Sequence, residues 1–178
     1  MKKGILMPIL AIVLTFVVVL GVNFTLAGIS TATAQKEHLY MMQTVLPGGE
    51  DFVVVAYDGE DTAIRSVHKC DAGFVIETAN QGYADEITML VGVNKDGNVT
   101  GLVVRQMQET FGLGAQALNN TDFLAQFLNT STEQVVGTDV DALTGATVTS
   151  KAIARSVNSA VAYVTGADAS SGATEWGG

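Results

Sequence analysis

"ITMLVGVNKDGNVTGLVVRQM", residues 87–107, is the stretch on which the fold turns. Two β-branched runs, Ile87 to Val93 and Val99 to Met107, flank "NKDGN" at 94–98. Asp96-Gly97 between such runs predicts a hairpin, because a tight reversal needs a residue that accepts positive φ. The two strands are therefore antiparallel.

The same texture extends towards the N-terminus. Gly73 to Ala79 ("GFVIETA") reads as a strand, and Thr62 to Lys69 as its partner. Phe52 to Tyr57 ("FVVVAY") is a short β-rich run closed by the turn "YDGED" at 57–61. Before it, Thr31 to Leu46 predicts a helix with Leu39, Met42, Val45 and Leu46 on one face, ended by Pro47-Gly48-Gly49.

The texture changes towards the C-terminus. "QETFGLGAQALNN", 108–120, is loop-like. Asn120 or Thr121 caps a short helix carrying Phe123, Leu124, Phe127 and Leu128 at helical spacing. From Thr147 onward, Ile153, Val157, Ala160, Val161 and Val164 form an apolar stripe that predicts a helix to about Tyr163. Strands first and helices later imply an α+β fold with a mostly antiparallel sheet and packed helices.

The N-terminus has a different character. Met1-Lys2-Lys3 precedes Gly4 to Gly28, a run without one charged residue. At about 1.5 Å per residue it reaches roughly 35 Å as a helix, enough for a hydrocarbon core of about 30 Å. "ATA" at 32–34 resembles a signal-peptide cleavage site, but the apolar run is too long for a signal peptide and abuts the lysines. The expectation is an uncleaved transmembrane helix in contact with membrane lipid. Lys2 and Lys3 hold its start in the cytoplasm. The organisation is then an anchor at 1–28, a juxtamembrane helix and linker at 29–50, a domain at 51–165 and a flexible tail at 166–178.

Removing Lys2 and Lys3 from the 9 basic residues leaves 7 beyond the anchor, against 18 acidic ones, a balance of −11. Such a surface repels phosphate backbones, so nucleic acid is excluded as a partner. The single cysteine, Cys70, forms no internal disulfide and no thiolate cluster. With His38 as the only other histidine, His68 in "SVHKC" reads as an ordinary strand or turn residue.

One segment stands out chemically: "DALTGATVTSKAI", Asp141 to Ile153. Its plain reading is a helix cap, with Thr144 or Thr147 as the capping residue and Gly145 permitting a tight turn. Its second reading is an anion site. A helix start offers N–H groups and a positive dipole end, and Gly145 and Ala146 remove side-chain bulk. The residues alone leave both readings open. No nucleophile–base pair for hydrolysis is present, and no histidine lies near the motif.

"DALTGAT", Asp141 to Thr147, resembles the flavinylation motif of the FMN-binding domain family, Asp-Gly/Ala-x-Ser/Thr-Gly-Ala-Thr. The upstream "GYADEITMLVGVNKDGNVTGLVV" and "QETFGLG" are similar to that family's Gly-Tyr-x-x-x-Ile hairpin and Glu-Thr-Pro-Gly-Leu-Gly loop. Phe111 departs from the pattern, standing where proline is usual. The likeness covers residues 73–165. With a single N-terminal span, the layout is most similar to the G-subunit branch from Rnf-type ion-translocating ferredoxin:NAD oxidoreductases, related to the C subunits of sodium-pumping NADH:quinone oxidoreductases.

The resemblance implies covalent FMN, joined by a phosphoester to Thr147 by an exported flavin transferase. It implies that Thr144, Gly145 and Ala146 shape the attachment turn and that Asp141 serves recognition by the transferase, with turn bonding as the plain alternative. Glu109 and Thr110 would face the flavin or the turn, and Leu113 and Gly114 would pack on its ring, with purely structural loop roles as the other reading. The function implied is electron transfer within a redox translocase, beside other membrane subunits of an Rnf-type complex and with the flavin outside the cell membrane. A free-standing anchored flavoprotein carrier and a non-redox exported binding module are the alternatives. The tail repeats the pattern as "DASSGAT", Asp168 to Thr174, but with no helix to follow it the expectation is one flavin per chain.

Overall fold

The computed structural model describes residues 34–106 and 120–167. The anchor at 1–28, the loop residues Glu109, Thr110, Leu113 and Gly114, and the tail repeat with Thr174 lie outside the described residues. Among the described residues no helix is long and apolar enough to cross a membrane.

The chain divides into two compact units, residues 1–40 and 41–178. Of the first, residues 34–40 are described and are helical. That helix, α1, is described over 34–45, so the second unit opens with its last residues. Five strands follow: β1 (Val53–Val55), β2 (Ile64–Cys70), β3 (Gly73–Gln81), β4 (Glu86–Asn94) and β5 (Val99–Gln106). They form one sheet in the order β1-β2-β3-β4-β5, with every neighbouring pair antiparallel. Helices α2 (Thr121–Ala125) and α3 (Thr147–Thr165) complete it. This is the mostly antiparallel α+β domain that strand signals first and helix signals later predict.

The β4–β5 hairpin forms where Asp96-Gly97 places it. Asn94 N–H donates to Asn98 O at 2.9 Å, and Gly97 takes φ 85°. The Asn94 side-chain oxygen accepts from Asp96 N–H at 3.0 Å and Asn98 N–H at 2.9 Å. The turn is thus built from its own side chains and needs little help from the rest of the fold.

Side chains alternate across the sheet and feed two cores. On one face Val67, Ile76, Met89 and Val91 meet Ile153, Val157, Ala160 and Val161 of α3, joined by Phe123, Phe127, Val140 and Leu143. On the other face Cys70, Val75 and Leu90 meet Met42, Val45 and Leu46 at the end of α1. Helix α3 runs two residues past the expected Tyr163. The Tyr163 ring lies edge-on to both Tyr57 and Phe74, with centroids 5.8 Å apart in each pair. Gly166, at φ 70°, then ends the helix and donates to Ala162 O at 2.9 Å.

Two paired glycines bring the end of α1 onto the sheet. Gly92 and Gly101 face each other across β4 and β5. A side chain on Gly92 would land on the Val45 carbonyl group, and one on Gly101 would come within 2.7 Å of the same oxygen. The neighbouring Thr100 hydroxyl donates to that oxygen at 2.7 Å. Backbone therefore rests on backbone here, and only glycine leaves room. Gly92→Ala is expected to lower unfolding free energy by about 1–3 kcal/mol, the usual range for overpacking. Urea denaturation measures it. A loss under roughly 0.5 kcal/mol would show that the helix end is free to move aside.

Candidate functional site

The segment before α3 is held from both sides. Asn120 caps α2 by accepting from Phe123 N–H at 2.9 Å. The Phe123 and Phe127 rings pack edge to face at 5.5 Å and enter the core beside α3. Gln126 then reaches across, its side-chain oxygen accepting from Asp141 N–H at 2.9 Å. Just upstream, Asp139 accepts from Val135 N–H at 3.0 Å, and Gly137 donates to Val140 O at 2.8 Å. Asp141 therefore enters the motif from a hydrogen-bonded loop, with its own residue exposed.

Four residues make the turn. Ala146 N–H donates to Leu143 O at 2.9 Å, and Gly145 takes φ 74° in third position. That is the arrangement of a type II turn, in which a side chain in third position would be strained. Leu143 and Ala146 are buried, whereas Thr144, Gly145 and Thr147 are exposed. The alternation follows from the turn: its two ends are pinned to the core and its tip projects outward.

Ser150 locks this turn to the helix. Its hydroxyl accepts from Leu143 N–H at 3.0 Å and donates to Ala146 O at 2.9 Å, and its side chain is fully buried. Further along, Asn80 donates to the Ser156 hydroxyl at 2.9 Å, and Arg155 Nη2 donates to Gln81 O at 3.3 Å. Both bonds tie α3 to the end of β3, so the position of Thr147 is fixed by the sheet.

The cap reading of the motif is not what forms. The residue in the N-cap position is Ala146, with φ −129° and ψ 41°, and no side chain caps the helix. Thr147 is the first helical residue, and no acidic side chain lies in the first turn. The positive dipole end is thus left without a built-in counter-charge, beside an exposed hydroxyl-bearing residue and two small neighbours. This arrangement fits a phosphate held at Thr147. Thr144, Gly145 and Ala146 lie in the turn, Asp141 enters it from the preceding loop, and Thr147 opens the helix that follows.

An open groove of about 1120 Å³ runs along α3 from Lys151 to Tyr163, with Gln81, Gln134, Arg155 and Asn158 in its walls. Thr147 lies outside its lining, one helical turn before it begins. Among the described residues, no group of three His, Cys, Asp or Glu side chains could hold a metal. Two contributors escape a reading of the sequence alone, Ser150 and Gln126. A serine three residues after Thr147, within the buried stripe of a helix, is a signal for the first. Nothing local marks the second.

The chain is similar to known proteins. A family model described as FMN-binding domain matches residues 82–162, from the β3–β4 turn to the last turns of α3. The G subunit of a Na(+)-translocating ferredoxin:NAD(+) oxidoreductase complex from Acetobacterium woodii is 29% identical over 185 residues, covering 90% of this chain and 89% of the relative. The G subunit of an ion-translocating oxidoreductase complex from Methanosarcina acetivorans is 32% identical over 152 residues, covering 75% and 76%. The G subunit of a proton-translocating ferredoxin:NAD(+) oxidoreductase complex from Clostridium ljungdahlii is 34% identical over 99 residues, covering 52% and 53%.

The Ser150 bridge gives a direct test of the turn. Ser150→Ala strands a buried Leu143 N–H, which costs about 1–3 kcal/mol. Ser150→Ala is expected to lower the denaturation midpoint of the domain, and amide hydrogen exchange at Leu143 should speed up by at least the factor that this loss implies. Unchanged exchange at Leu143 would show that the turn holds without the serine.

Proposed function

The chain belongs to the G-subunit family of ion-translocating oxidoreductase complexes, and from that premise we propose that it carries electrons on FMN bound covalently to Thr147. The observation that carries this reading is the start of α3: an exposed threonine at the first helical position, with neither a side-chain cap nor an acidic neighbour. A non-redox binding module would need "TGAT" to be a plain cap, and no threonine caps the helix.

In the attachment step the Thr147 hydroxyl oxygen bonds to the phosphorus of an activated flavin nucleotide. The phosphoanhydride P–O bond to the rest of that nucleotide would break, releasing it as a nucleoside monophosphate, and the hydroxyl proton would go to a base on the flavin transferase. Linking through phosphate leaves the ring system untouched, and that ring supplies the electron transfer when the cofactor is bound. The chain's own part is positional. Gly145 leaves the backbone bare at the exposed tip, Ala146 seats the turn on the core, and Ser150 fixes it there. Asp141, exposed at the entrance, is the residue offered to the transferase. By the family resemblance, Glu109 and Thr110 would face the flavin or the turn and Leu113 and Gly114 would pack on its ring, with purely structural loop roles as the other reading.

The partners that follow are the other membrane subunits of an Rnf-type complex, the transferase during maturation, and lipid around the anchor at 1–28. With Lys2 and Lys3 in the cytoplasm, the flavin domain lies on the outer side of the membrane.

Two experiments test the reading. Thr147→Ala, produced alongside the transferase, should lose all flavin fluorescence from the denatured band and the matching increment in intact mass. Thr147→Ser should keep part of both, because the hydroxyl remains. Covalent flavin persisting in Thr147→Ala would move the attachment elsewhere. Separately, a membrane-impermeant protease applied to spheroplasts should digest the domain, and the mature chain should begin at its own N-terminus. A mature protein starting at Gln35 would show that "ATA" is cleaved and the anchor lost.

A further inference from the structure

Helix α3 differs in charge from the chain around it. Acidic residues outnumber basic ones 18 to 9, yet no Asp or Glu occurs between Asp141 and Asp168. The only ionic side chains in that span are Lys151 and Arg155. The start of a helix is where carboxylates are most favoured, and here there are none. Lys151 stands on the side of α3 that carries Thr147, since four positions on is about 40° around the helix, whereas Arg155, eight positions on, is about 80° around.

The two differ in what they are free to do. Arg155 Nη2 is tied to Gln81 O, and Arg155 Nε is buried. Lys151 is exposed. The ion pairs among the described residues join other partners, Arg65 to Glu86 and Arg105 to Glu77. Distance separates them as well. Lys151 stands about 6 Å along the axis from Thr147 and Arg155 about 12 Å. With a screening length of about 8 Å at physiological salt, the nearer charge dominates at Thr147. Its stem is also flexible enough to bring the ammonium back over the preceding turn, where helical side chains lean.

We infer that Lys151 is a positioning residue for the cofactor: its ammonium pairs with the phosphodiester formed on Thr147 and holds the flavin against the outer face of α3. This rests on the attachment reading above. The alternative is a lysine that only solvates an exposed helix face. The two part company once an anion is present, since a nearby anion favours the charged, unreactive form of an amine.

The test compares full-length protein made with and without the flavin transferase. Each is treated briefly with an amine-acetylating reagent, and labelling is read lysine by lysine by peptide mass spectrometry. Lys36, Lys69 and Lys95 serve as internal references. With one flavin per chain, Lys151 should label several-fold more slowly than in the flavin-free protein, with the references unchanged. That protection should fall at high salt, as an ion pair is screened. In addition, Lys151→Met should slow flavin attachment several-fold at unchanged thermal stability, and Lys151→Arg should restore it. Equal labelling of Lys151 in both proteins at full flavin content overturns the inference and leaves the attachment reading standing. Protection that ignores salt also overturns it, because the flavin would then merely cover the side chain. Absence of flavin at Thr147, read from the intact mass, overturns both.

Discussion

Strand β4 is buried on both faces, and the domain is arranged around that requirement. From Met89 to Val93 each residue is buried, and consecutive residues face opposite sides of the sheet. Leu90 enters the core under α1, while Met89 and Val91 enter the core under α3. A strand with only one covered face would leave half of those side chains in water, at about 1.5–3 kcal/mol for each large one. Two helices must therefore lie on this sheet. The paired glycines let the first approach as bare backbone, and the apolar stripe of α3 supplies the second.

The site inherits its geometry from that packing. Helix α3 cannot slide along the sheet without breaking the Asn80–Ser156 and Arg155–Gln81 bonds, and it cannot rotate without exposing Ile153 or Val157. Its first residue is consequently fixed in space by contacts made two or three turns away. Ser150 carries the same constraint back into the turn, joining a buried hydroxyl to both Leu143 and Ala146. A rigid helix with a stapled turn at its head presents a side chain more precisely than a loop does.

What the sequence reveals follows from how local each signal is. The β4–β5 hairpin is legible because Asn94, Asp96 and Gly97 build the turn from their own bonds. The stripe of α3 is legible because its period is local. Its last residues are not, because Tyr163 is held by Tyr57 and Phe74, about a hundred positions earlier in the chain. Helix α2 stops at Ala125 although Phe127 and Leu128 continue its spacing. There the chain leaves the helix to pair with the start of β5, with Asn129 N–H on Val99 O at 2.8 Å and Val99 N–H on Thr130 O at 2.9 Å. The motif shows the limit most clearly. Its residues mark a turn before a helix, but whether a threonine caps that helix depends on Ser150, whose buried bonds place Ala146 at the cap instead.

Charge gives the proposed covalent link a physical reason. A flavin phosphate arriving from solution meets a domain with a strong excess of carboxylates, and its capture by reversible binding would work against that field. Helix α3 is the local exception, free of acids over its whole length, with Lys151 exposed and Arg155 half-buried against Gln81. The helix dipole adds only about 0.3–1 kcal/mol at an exposed site, too little to retain a cofactor by itself. A bond to Thr147 would remove the dependence on concentration altogether, and the helix start with Lys151 would then need only to orient what the bond retains. Attachment and orientation are thereby separated: the first needs a hydroxyl that projects from the turn, the second a helix whose exposed face repels no phosphate. The packing of α3 on β4 supplies both, since burying Ile153 and Val157 is what turns Thr147 and Lys151 outward.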